Sequence, residues 1–426
     1  MRGQEKVKIY LILLFIAVLL SSCGNQDKDR EEESITEITF TFADGDEGLK
    51  AAMNEVIRKF NLAYPDIILR LKPGIQGSYS EFLKIKDSEG ELPDVMEMRD
   101  TAMYVRAGRL APLPEDVVSL FEQTVKIDGQ VYTAPYSGEN TLGIFYNKAY
   151  FDVNGWKEPD TYGEFLELCR AVRDKGEMAP LAVGGQDIWH MGFLFALAYN
   201  NRVLSTDPDF IKHCYEKVKD FSDPSFRQAM ADLKELSGYM QEGWQETPDA
   251  QVASLLAEGK AAMVYTGIHL INPFSGSYQE FKPGWFPVKS QDGKLRIIGG
   301  ISSSGLAISA AAAADPEKKE ATETFLRFFF EKKNYQEFCE SICTIPTTAD
   351  PPKVPLHPVF EEIMEAGRIA DEKLLSWNNM EGENELPADF RDFAYKTLID
   401  FLLERIDLDD FCRQLNQQWN ISCEQD

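Results

Sequence analysis

The stretch GQVYTAPYSGENTLGIFYNKAYF, residues 129–151, decides the fold of this 426-residue chain. A short strand-forming run ends at Pro135, and an aromatic block begins at Phe145. The connector between them is polar and contains two glycines. Two strands joined in this way form either one hairpin or a crossing between two lobes, in which residues 139–141 would face a cleft. The local pattern favours the hairpin, so the surrounding chain has to decide.

The first 22 residues are typical of a signal peptide. Three basic residues precede residues 9–20, which are twelve consecutive apolar or aromatic residues. As a helix this run spans about 18 Å, too short for a bilayer core of about 30 Å. The following Leu-Ser-Ser-Cys resembles a bacterial lipobox, which predicts that Cys23 is lipidated and becomes the mature N-terminus. The alternative is an ordinary signal peptide with a chance cysteine. Residues 23–34 then form a solvated tether.

The charge of the chain is strongly acidic, with 70 acidic and 44 basic residues and a net charge of −26. Removing residues 1–22 makes it more acidic, because they contain three basic residues and one acidic residue. Such a surface argues against nucleic acid and against anionic lipid as partners. The roughly 390 residues that remain exceed one ordinary core, so we expect two lobes.

Six further cysteines follow: Cys169, Cys214, Cys339, Cys343, Cys412 and Cys423. An even number in an exported protein permits disulfides, in any of about 15 pairings. Cys169 lies on the apolar face of a helical pattern, which predicts a buried residue. Cys339 and Cys343 are four residues apart, as in some metal-binding pairs, but no histidine lies near enough in sequence to complete a site. We interpret both as structural.

Periodicity predicts alternating strands and helices. Residues 35–42 alternate as a strand, residues 49–60 carry apolar residues at helical spacing, and residues 67–71 form a second strand. Such a strand–helix–strand unit predicts a parallel sheet. Further along, Thr161 and Glu164 are spaced as a helix-capping box. Three polar connectors, near residues 139–141, 299–304 and 344–347, interrupt the pattern, which indicates two α/β lobes.

In these segments the chain resembles the family 1 extracellular solute-binding proteins of carbohydrate ABC importers, the group that contains maltose-binding protein. The resemblance covers about 300 residues and combines the lipobox with motifs that are weak singly and specific in this order. Those motifs are ITFTFADGDEGLKAAMNEVIRKFNLAYPDIIL (38–69), LPDVMEMRD (92–100), AGRLAPL (107–113), the central stretch continued to residue 169, LLAEGKAAMVYTG (255–267) and GGISSSGLAIS (299–309).

The resemblance implies a two-lobed periplasmic-binding-protein fold, each lobe a mainly parallel sheet flanked by helices, with three hinge crossings. It places residues 35–139 and 302–345 in an N-terminal lobe and residues 140–301 and 346–426 in a C-terminal lobe. The crossing interpretation of the central stretch now outweighs the hairpin. The implied hinge residues are Glu139, Asn140, Thr141, Gly300, Ser302 and Ile345.

The resemblance also implies a sugar site between stacking aromatic rings and polar side chains. The candidate ligand-binding residues are Asp44, Asp46, Arg99, Asp100, Asn140, Trp189, His269 and Trp377. Five of them have a plain structural alternative. The two aspartates in the loop after the first strand suit a helix cap, Arg99 and Asp100 suit a surface ion pair, and Trp189 suits a core position.

One position departs from the family pattern. Members usually carry Gly-x-Trp after the Ala-Ala-Met strand, where the tryptophan stacks on sugar, whereas this chain has Thr-Gly-Ile-His ending at His269. An imidazole is a smaller and more polar platform. This difference favours a smaller or more polar oligosaccharide than a maltodextrin.

The resulting hypothesis is a monomeric binding lipoprotein without catalysis, cofactor or metal, held on the extracytoplasmic face of the membrane. Its partners would be a carbohydrate and the permease of an ABC importer. A secreted glycoside hydrolase is an alternative, and it needs two carboxylates at a fixed separation. A receptor for a non-sugar solute also remains, although an iron receptor would want paired tyrosines with a histidine, and no adjacent tyrosines occur.

Overall fold

The computed structural model describes residues 35–72, 79–138, 141–377 and 380–424. The predicted signal peptide, Cys23, the tether and the hinge residues Glu139 and Asn140 lie outside these described residues. Within the described ranges, no helix combines the length and the apolar character needed to cross a membrane.

The described strands are β1 (Thr36–Thr41), β2 (Ile67–Leu71), β3 (Val95–Met98), β4 (Leu110–Ala111), β5 (Gly143–Asn147), β6 (Ala179–Leu181), β7 (Ala261–Thr266), β8 (Pro283–Phe286), β9 (Arg296–Ile298), β10 (Gly305–Ser309) and β11 (Glu372–Leu374). The described α-helices are α1 (Glu47–Ala63), α2 (Tyr79–Ser88), α3 (Thr101–Arg106), α4 (Glu115–Val118), α5 (Lys148–Asn154), α6 (Tyr162–Lys175), α7 (Ile188–Tyr199), α8 (Phe210–Tyr215), α9 (Pro224–Ser237), α10 (Val252–Ala257), α11 (Ile271–Ser275), α12 (Ala310–Ala314), α13 (Pro316–Phe330), α14 (Lys332–Ser341), α15 (Val359–Ile369), α16 (Ala388–Leu402) and α17 (Leu408–Cys423).

Two main sheets organise these elements. The five-stranded sheet has the order β2-β1-β3-β10-β4, and with its helices it forms what we call the N-terminal lobe. The four-stranded sheet has the order β6-β7-β5-β8 and forms the C-terminal lobe, beside a small β9-β11 sheet. The prediction of mainly parallel sheets is confirmed, because all strands but one of each main sheet run in the same direction. Strands β5 and β10 each enter their sheet directly from a crossing, and they run antiparallel to both of their neighbours.

Burial on one face or on both faces explains why apolar residues alternate in β1 and are continuous in β5. In β1, Ile38 and Phe40 are fully buried on one face, as the alternation predicts. In β5 the run is apolar throughout because both faces are covered: Ile144 and Tyr146 pack into one core, and Phe145 packs into the core on the opposite face. Sheets covered on both faces have strong register, since a slip of one residue would exchange the two cores.

Local chemistry sets the ends of α6 as predicted. The Thr161 side chain accepts from the Glu164 backbone N–H, and the Glu164 side chain accepts from the Thr161 backbone N–H. Gly176 ends the helix in the left-handed region, with a φ of 71°. This helix packs its stripe, including the fully buried Cys169, against the C-terminal lobe sheet.

The central stretch is a crossing and not a hairpin. Ala134 pairs with Leu306 of the first sheet, whereas Gly143 already belongs to the second. Two further crossings run beside it. Leu142 donates its backbone N–H to the Ile298 carbonyl at 2.8 Å, and Gly138 donates to the Ile345 carbonyl at 2.9 Å. A Cβ at Gly138 would lie 2.9 Å from the Ile345 Cβ, so the close approach of the crossings requires glycine there.

No disulfide joins the six cysteines of the described residues. Helix α14 ends at Ser341, so Cys343 lies beyond it and does not share a helix face with Cys339. The sequence pattern also missed β11, which interrupts the C-terminal helices and pairs in parallel with β9.

Candidate functional site

The loops that follow several strands meet where the lobes face each other. In the N-terminal lobe, β1 and β3 are parallel, and Met98 at the end of β3 pairs with Gly305, where the second crossing enters β10. In the C-terminal lobe, β6 and β7 are parallel, and Thr266 at the end of β7 pairs with Gly143, where the first crossing enters β5. The carboxyl ends of these strands therefore point at the crossings, as ligand-binding edges of α/β sheets do.

The loop after β1, residues 42–46, carries the two predicted aspartates, and we call it the aspartate loop. Asp46 is the N-cap of α1, and its Oδ1 accepts from the Leu49 backbone N–H at 2.6 Å. The helix-cap alternative is therefore realised for Asp46. Asp44 is half-buried in the same loop. A ligand contact by either carboxylate stays a prediction.

A residue that sequence analysis missed holds this loop in place. Glu97 is 3% exposed, and its Oε2 accepts from the Ala43 backbone N–H at 2.9 Å. Its Oε1 accepts from Arg99 Nε at 2.8 Å, so the partner of Arg99 is Glu97. The available signal was an acidic residue inside the apolar strand Val-Met-Glu-Met, because a buried carboxylate in a strand needs specific partners.

Two tyrosines lie close to Glu97. Tyr79 donates its hydroxyl to the Glu97 carbonyl at 2.9 Å, and the Arg99 guanidinium carbon lies 6.0 Å from the Tyr79 ring centroid. Burial, followed by the negative charge of Glu97, raises the pKa of Tyr79 and of Tyr136 well above 10. Both phenols therefore remain neutral hydrogen-bonding groups beside the loop.

On the opposite side, three rings form what we call the ring wall: Trp189, Phe193 and His269. The Trp189 centroid lies 5.5 Å from Phe193 and 5.6 Å from His269, both edge-to-face. Trp189 is half-buried in the first turn of α7. The pattern Gly-Gly-Gln-Asp of residues 184–187 predicts a polar loop that ends at Trp189, whereas the structure places Trp189 in the helix directly after this loop, which we call the glycine loop.

That glycine loop is shaped by close packing. A Cβ at Gly184 would lie 2.6 Å from Asp249 Cα, and one at Gly185 would lie 2.5 Å from the Trp244 ring. Any larger residue would push the loop away from the segment that contains Trp244 and Asp249. The two glycines therefore fix the start of α7 and, with it, the position of Trp189.

A buried carboxylate supports the ring wall from behind. Asp249 Oδ1 lies 2.6 Å from His190 Nδ1, and its Oδ2 lies 3.4 Å from His269 Nε2. Burial opposes ionisation of Asp249, but the charge of His269 and the hydrogen bond from His190 outweigh it and lower the Asp249 pKa. Sequence analysis missed Asp249, since nothing in its local sequence distinguishes it from a surface aspartate.

The two sides of the site touch. A Cβ at Gly48 in the first turn of α1 would lie 1.8 Å from Asn272 Nδ2 in α11. The aspartate loop of the N-terminal lobe therefore lies close to the ring wall of the C-terminal lobe. Carboxylates opposite aromatic rings suit a ligand with apolar faces and many hydroxyl groups.

Asp100 joins the lobes. Its Oδ1 accepts from Arg391 Nη1 at 2.9 Å, and its Oδ2 accepts from Ser80 Oγ at 2.8 Å. Arg391 belongs to α16 in the C-terminal lobe, and the two side chains are only 9% and 12% exposed. Burial raises the pKa of Asp100, but Arg391 and Ser80 outweigh it, so that the pKa is lowered. Asp100 thus forms a largely buried ion pair across the lobes and not the surface ion pair that was the alternative, and a ligand contact by Asp100 stays a prediction.

Two further contacts follow the same line between the lobes. Arg106 in α3 makes a two-pronged pair with Glu385, at 3.0 and 3.2 Å. Ser303 in the second crossing donates its backbone N–H and its hydroxyl to Glu381, both at 2.6 Å. The segment before α16 is therefore held against the N-terminal lobe by side chains of opposite charge or hydrogen-bonding character.

Trp377 does not belong to the site. It is 2% exposed, and its ring centroid lies 4.4 Å from Phe195 and 4.7 Å from Tyr199. These rings are part of the core between α7 and the C-terminal helices. Neither ring face is open to a ligand, which corrects the prediction of Trp377 as a platform. The polar residues beside Trp377 in the sequence do not predict this burial.

Comparisons with known proteins agree with this architecture. A multiple sugar-binding protein of Streptococcus mutans is 23% identical over 359 residues, covering 79% of this chain and 81% of that protein. A solved chitin oligosaccharide binding protein superimposes with a TM-score of 0.78 at 19% identity, covering 91% of this chain and 98% of its own. A sugar transporter protein from Bacillus licheniformis, solved in complex with stachyose, gives 0.77 at 16% identity, covering 91% of this chain and 100% of its own.

The family comparison covers most of the chain. Residues 43–336 match the model of the bacterial extracellular solute-binding proteins, a span that includes the aspartate loop, Glu97, the ring wall and Asp249. With two α/β lobes, three adjacent crossings and loops gathered between them, the chain belongs to the bacterial extracellular solute-binding proteins.

Proposed function

We propose that this protein captures a sugar or short oligosaccharide between its lobes and delivers it to the permease of an ABC importer. One observation carries the proposal. The ring wall of Trp189, Phe193 and His269 lies opposite the aspartate loop, where the carboxyl ends of the strands of both lobes meet. Sugar C–H faces pack on aromatic rings, and sugar hydroxyls donate to carboxylates. The sugars named for the related proteins support the same class of ligand.

In this proposal the lobes are residues 35–139 with 302–345 and residues 140–301 with 346–426. The hinge residues are Glu139, Asn140, Thr141, Gly300, Ser302 and Ile345. Ligand contacts come from Asp44, Asp46 and Arg99 on one side and from Trp189 and His269 on the other, with Asn140 at the first crossing. Ligand binding stabilises the closed arrangement, because only that arrangement offers both sides at once.

Closure should be visible in solution. We expect the radius of gyration from small-angle X-ray scattering to decrease when saturating ligand is added, since the lobes rotate together about the three crossings. A chitin oligosaccharide and stachyose are the first ligands to test. An unchanged radius at saturation would mean that the site is preformed and rigid.

The class of activity is tested by incubation with the same two sugars. A binding protein at a ligand concentration of about 100 Kd gains roughly 2.7 kcal/mol of stability and leaves the sugar intact. Thermal unfolding measures the first effect, and chromatography of the sugar measures the second. Shorter products would support the glycoside hydrolase alternative, which requires two carboxylates flanking the scissile bond. Neither stabilisation nor products across a glycan library would favour a non-sugar solute.

The lipid anchor is a separate part of the proposal and rests on the Leu-Ser-Ser-Cys sequence ending at Cys23. We expect the protein expressed in bacteria to incorporate labelled palmitate and to fractionate with membranes. Cys23→Ala should abolish both, because the lipid is attached to the protein through the Cys23 thiol. Equal labelling of the wild-type protein and Cys23→Ala would contradict lipidation at this residue.

A further inference from the structure

The Asp249 carboxylate joins the two segments that carry the ring wall. Its Oδ1 contacts His190 Nδ1 at 2.6 Å, and its Oδ2 faces His269 Nε2 at 3.4 Å. His190 is fully buried and directly follows Trp189 in the first turn of α7. His269 belongs to the 3-10 turn Ile268–Leu270 after β7. One side chain thus connects the segment of Trp189 to the segment of His269.

Asp249 is itself held firmly. Its backbone N–H donates to Asp187 Oδ2 at 2.8 Å, and Asp187 is the residue before α7. The glycine loop packs on its backbone, since a Cβ at Gly184 would lie 2.6 Å from Asp249 Cα. The carboxylate therefore has a defined position relative to both rings.

The hydrogen-bonding roles follow from the chemistry of the carboxylate. An ionised carboxylate only accepts, so His190 donates through Nδ1. His269 Nε2 faces the other carboxylate oxygen at 3.4 Å, which suits an ion pair when the ring is protonated but lies outside hydrogen-bond geometry. The His269 side chain is 26% exposed although its Nε2 is buried, so the exposure belongs to the rest of the ring. When His269 is protonated, Nδ1 is also a donor; when it is neutral with hydrogen on Nε2, Nδ1 accepts.

We propose that Asp249 is a positioning residue of the ligand site, which fixes the His269 ring against Trp189 and turns its Nε2 edge away from the cleft. This inference rests on the proposed function and deepens it, because it specifies the group that His269 offers to a sugar. In the protonated state the ring presents a charged donor to a ligand hydroxyl. Charged donors make stronger hydrogen bonds than neutral ones.

The charged groups around His269 support the protonated state. Asp249 faces it from the 3-10 turn Asp249–Gln251, Asp46 acts on it from the cap of α1 across the cleft, and His190 of α7 shares the Asp249 carboxylate. Trp189 and Phe193 add uncharged rings. Burial lowers the pKa of His269, but the charges of Asp249 and Asp46 outweigh it, so that the pKa is raised above 6.5.

The raised pKa of His269 sets the direction of the pH effect. The proton on His269 is present below pH 6.5 in every state and is lost as the pH rises through the raised pKa. Stability from the His269–Asp249 pair, and the charged donor toward the ligand, are lost over the same range. We therefore expect ligand binding to weaken by about three- to tenfold from pH 6 to a pH above that pKa.

The positioning role can be tested without any ligand. The chain has four histidines, and NMR titration of their ring protons, assigned with His269→Gln, follows each of them. Asp249→Asn keeps the size of the side chain and removes its charge, so the His269 pKa should fall. The matched control is Asp207→Asn, which removes the partner of His213 at 2.9 Å outside the cleft and should leave His269 unchanged. An unchanged His269 pKa in Asp249→Asn would overturn the proposal.

Calorimetric titration with stachyose and with a chitin oligosaccharide, across the same pH range, tests the consequence for binding. The wild-type protein should show the pH dependence, whereas Asp249→Asn and His269→Gln should show much less. Equal pH dependence in all three proteins, or none in the wild type, would also overturn the proposal. If neither sugar binds at any pH, the sugar proposal fails, and the NMR titration still decides whether Asp249 controls His269.

Discussion

Replacing Trp189 by alanine is expected to weaken sugar binding by roughly ten- to a hundredfold. The ring supplies the largest surface of the ring wall, edge-to-face with Phe193 and His269. A stacked aromatic contributes on the order of 0.5–1.5 kcal/mol beyond its buried area, and burial of the ring against sugar adds to this. Each 1.4 kcal/mol changes the dissociation constant by about tenfold. Calorimetric titration with the best-binding glycan measures the loss.

Trp156 provides a matched control. It is also half-buried, and it packs edge-to-face on Tyr150 and Phe151 at 5.2 and 5.9 Å. It follows α5, beyond the end of β5 that is remote from the crossings. Trp156→Ala should therefore lower the unfolding temperature and leave binding unchanged. If Trp189→Ala shows this same pattern, Trp189 is a core residue and the ligand lies elsewhere.

Removing the charge of Arg391 is expected to favour the open arrangement of the lobes. Arg391→Gln leaves the Asp100 carboxylate without its guanidinium partner between the lobes, where the two side chains are only 9% and 12% exposed. Removing one partner of a fully buried pair costs about 3–5 kcal/mol. Here opening of the lobes lets water reach Asp100, so the cost appears as reduced closure. We expect binding to weaken by up to roughly a hundredfold, equivalent to about 3 kcal/mol.

Scattering and calorimetry together show whether weaker binding by Arg391→Gln results from reduced closure of the lobes. The unliganded Arg391→Gln variant should have a larger radius of gyration than the wild type. Asp100→Asn combined with Arg391→Gln should recover part of the loss, since no unpaired charge then remains. Arg106→Gln is the control, because its pair with Glu385 is more exposed, with Arg106 59% accessible, and should matter by less than about 1 kcal/mol. A double variant as weak as the sum of the two single variants would argue against coupling across the lobes.

Much of the fold follows from local sequence. Alternation in β1, the capping box of α6 and the glycine at its end depend on contacts within one or two turns, and the structure confirms each of them. The antiparallel entry of β5 and β10 could not be read in the same way. Strand direction depends on where the chain arrives from, and both strands arrive from a crossing.

The candidate site also has some features that the sequence predicts and others that it does not. Trp189 and His269 stand out in sequence through a glycine loop and a departure from the family pattern, and the structure brings these two rings together. Trp377 also has polar neighbours in sequence, but its ring is buried against Phe195 and Tyr199. An aromatic residue beside polar neighbours is compatible with either environment, because the packing partners come from helices far away in sequence.

By itself the sequence determined the family, the two-lobed α/β class, the crossings and the segments of the candidate site, because these depend on periodicity and on motifs in a fixed order. Only the tertiary structure decided which side chains meet: Glu97 beneath the aspartate loop, Asp249 between His190 and His269, and Asp100 with Arg391 across the lobes. These contacts join residues separated by as many as 291 positions. The sequence around a carboxylate does not identify a partner that is distant in the chain. The partner becomes necessary only when folding buries the carboxylate, because a buried charge without a partner is unfavourable.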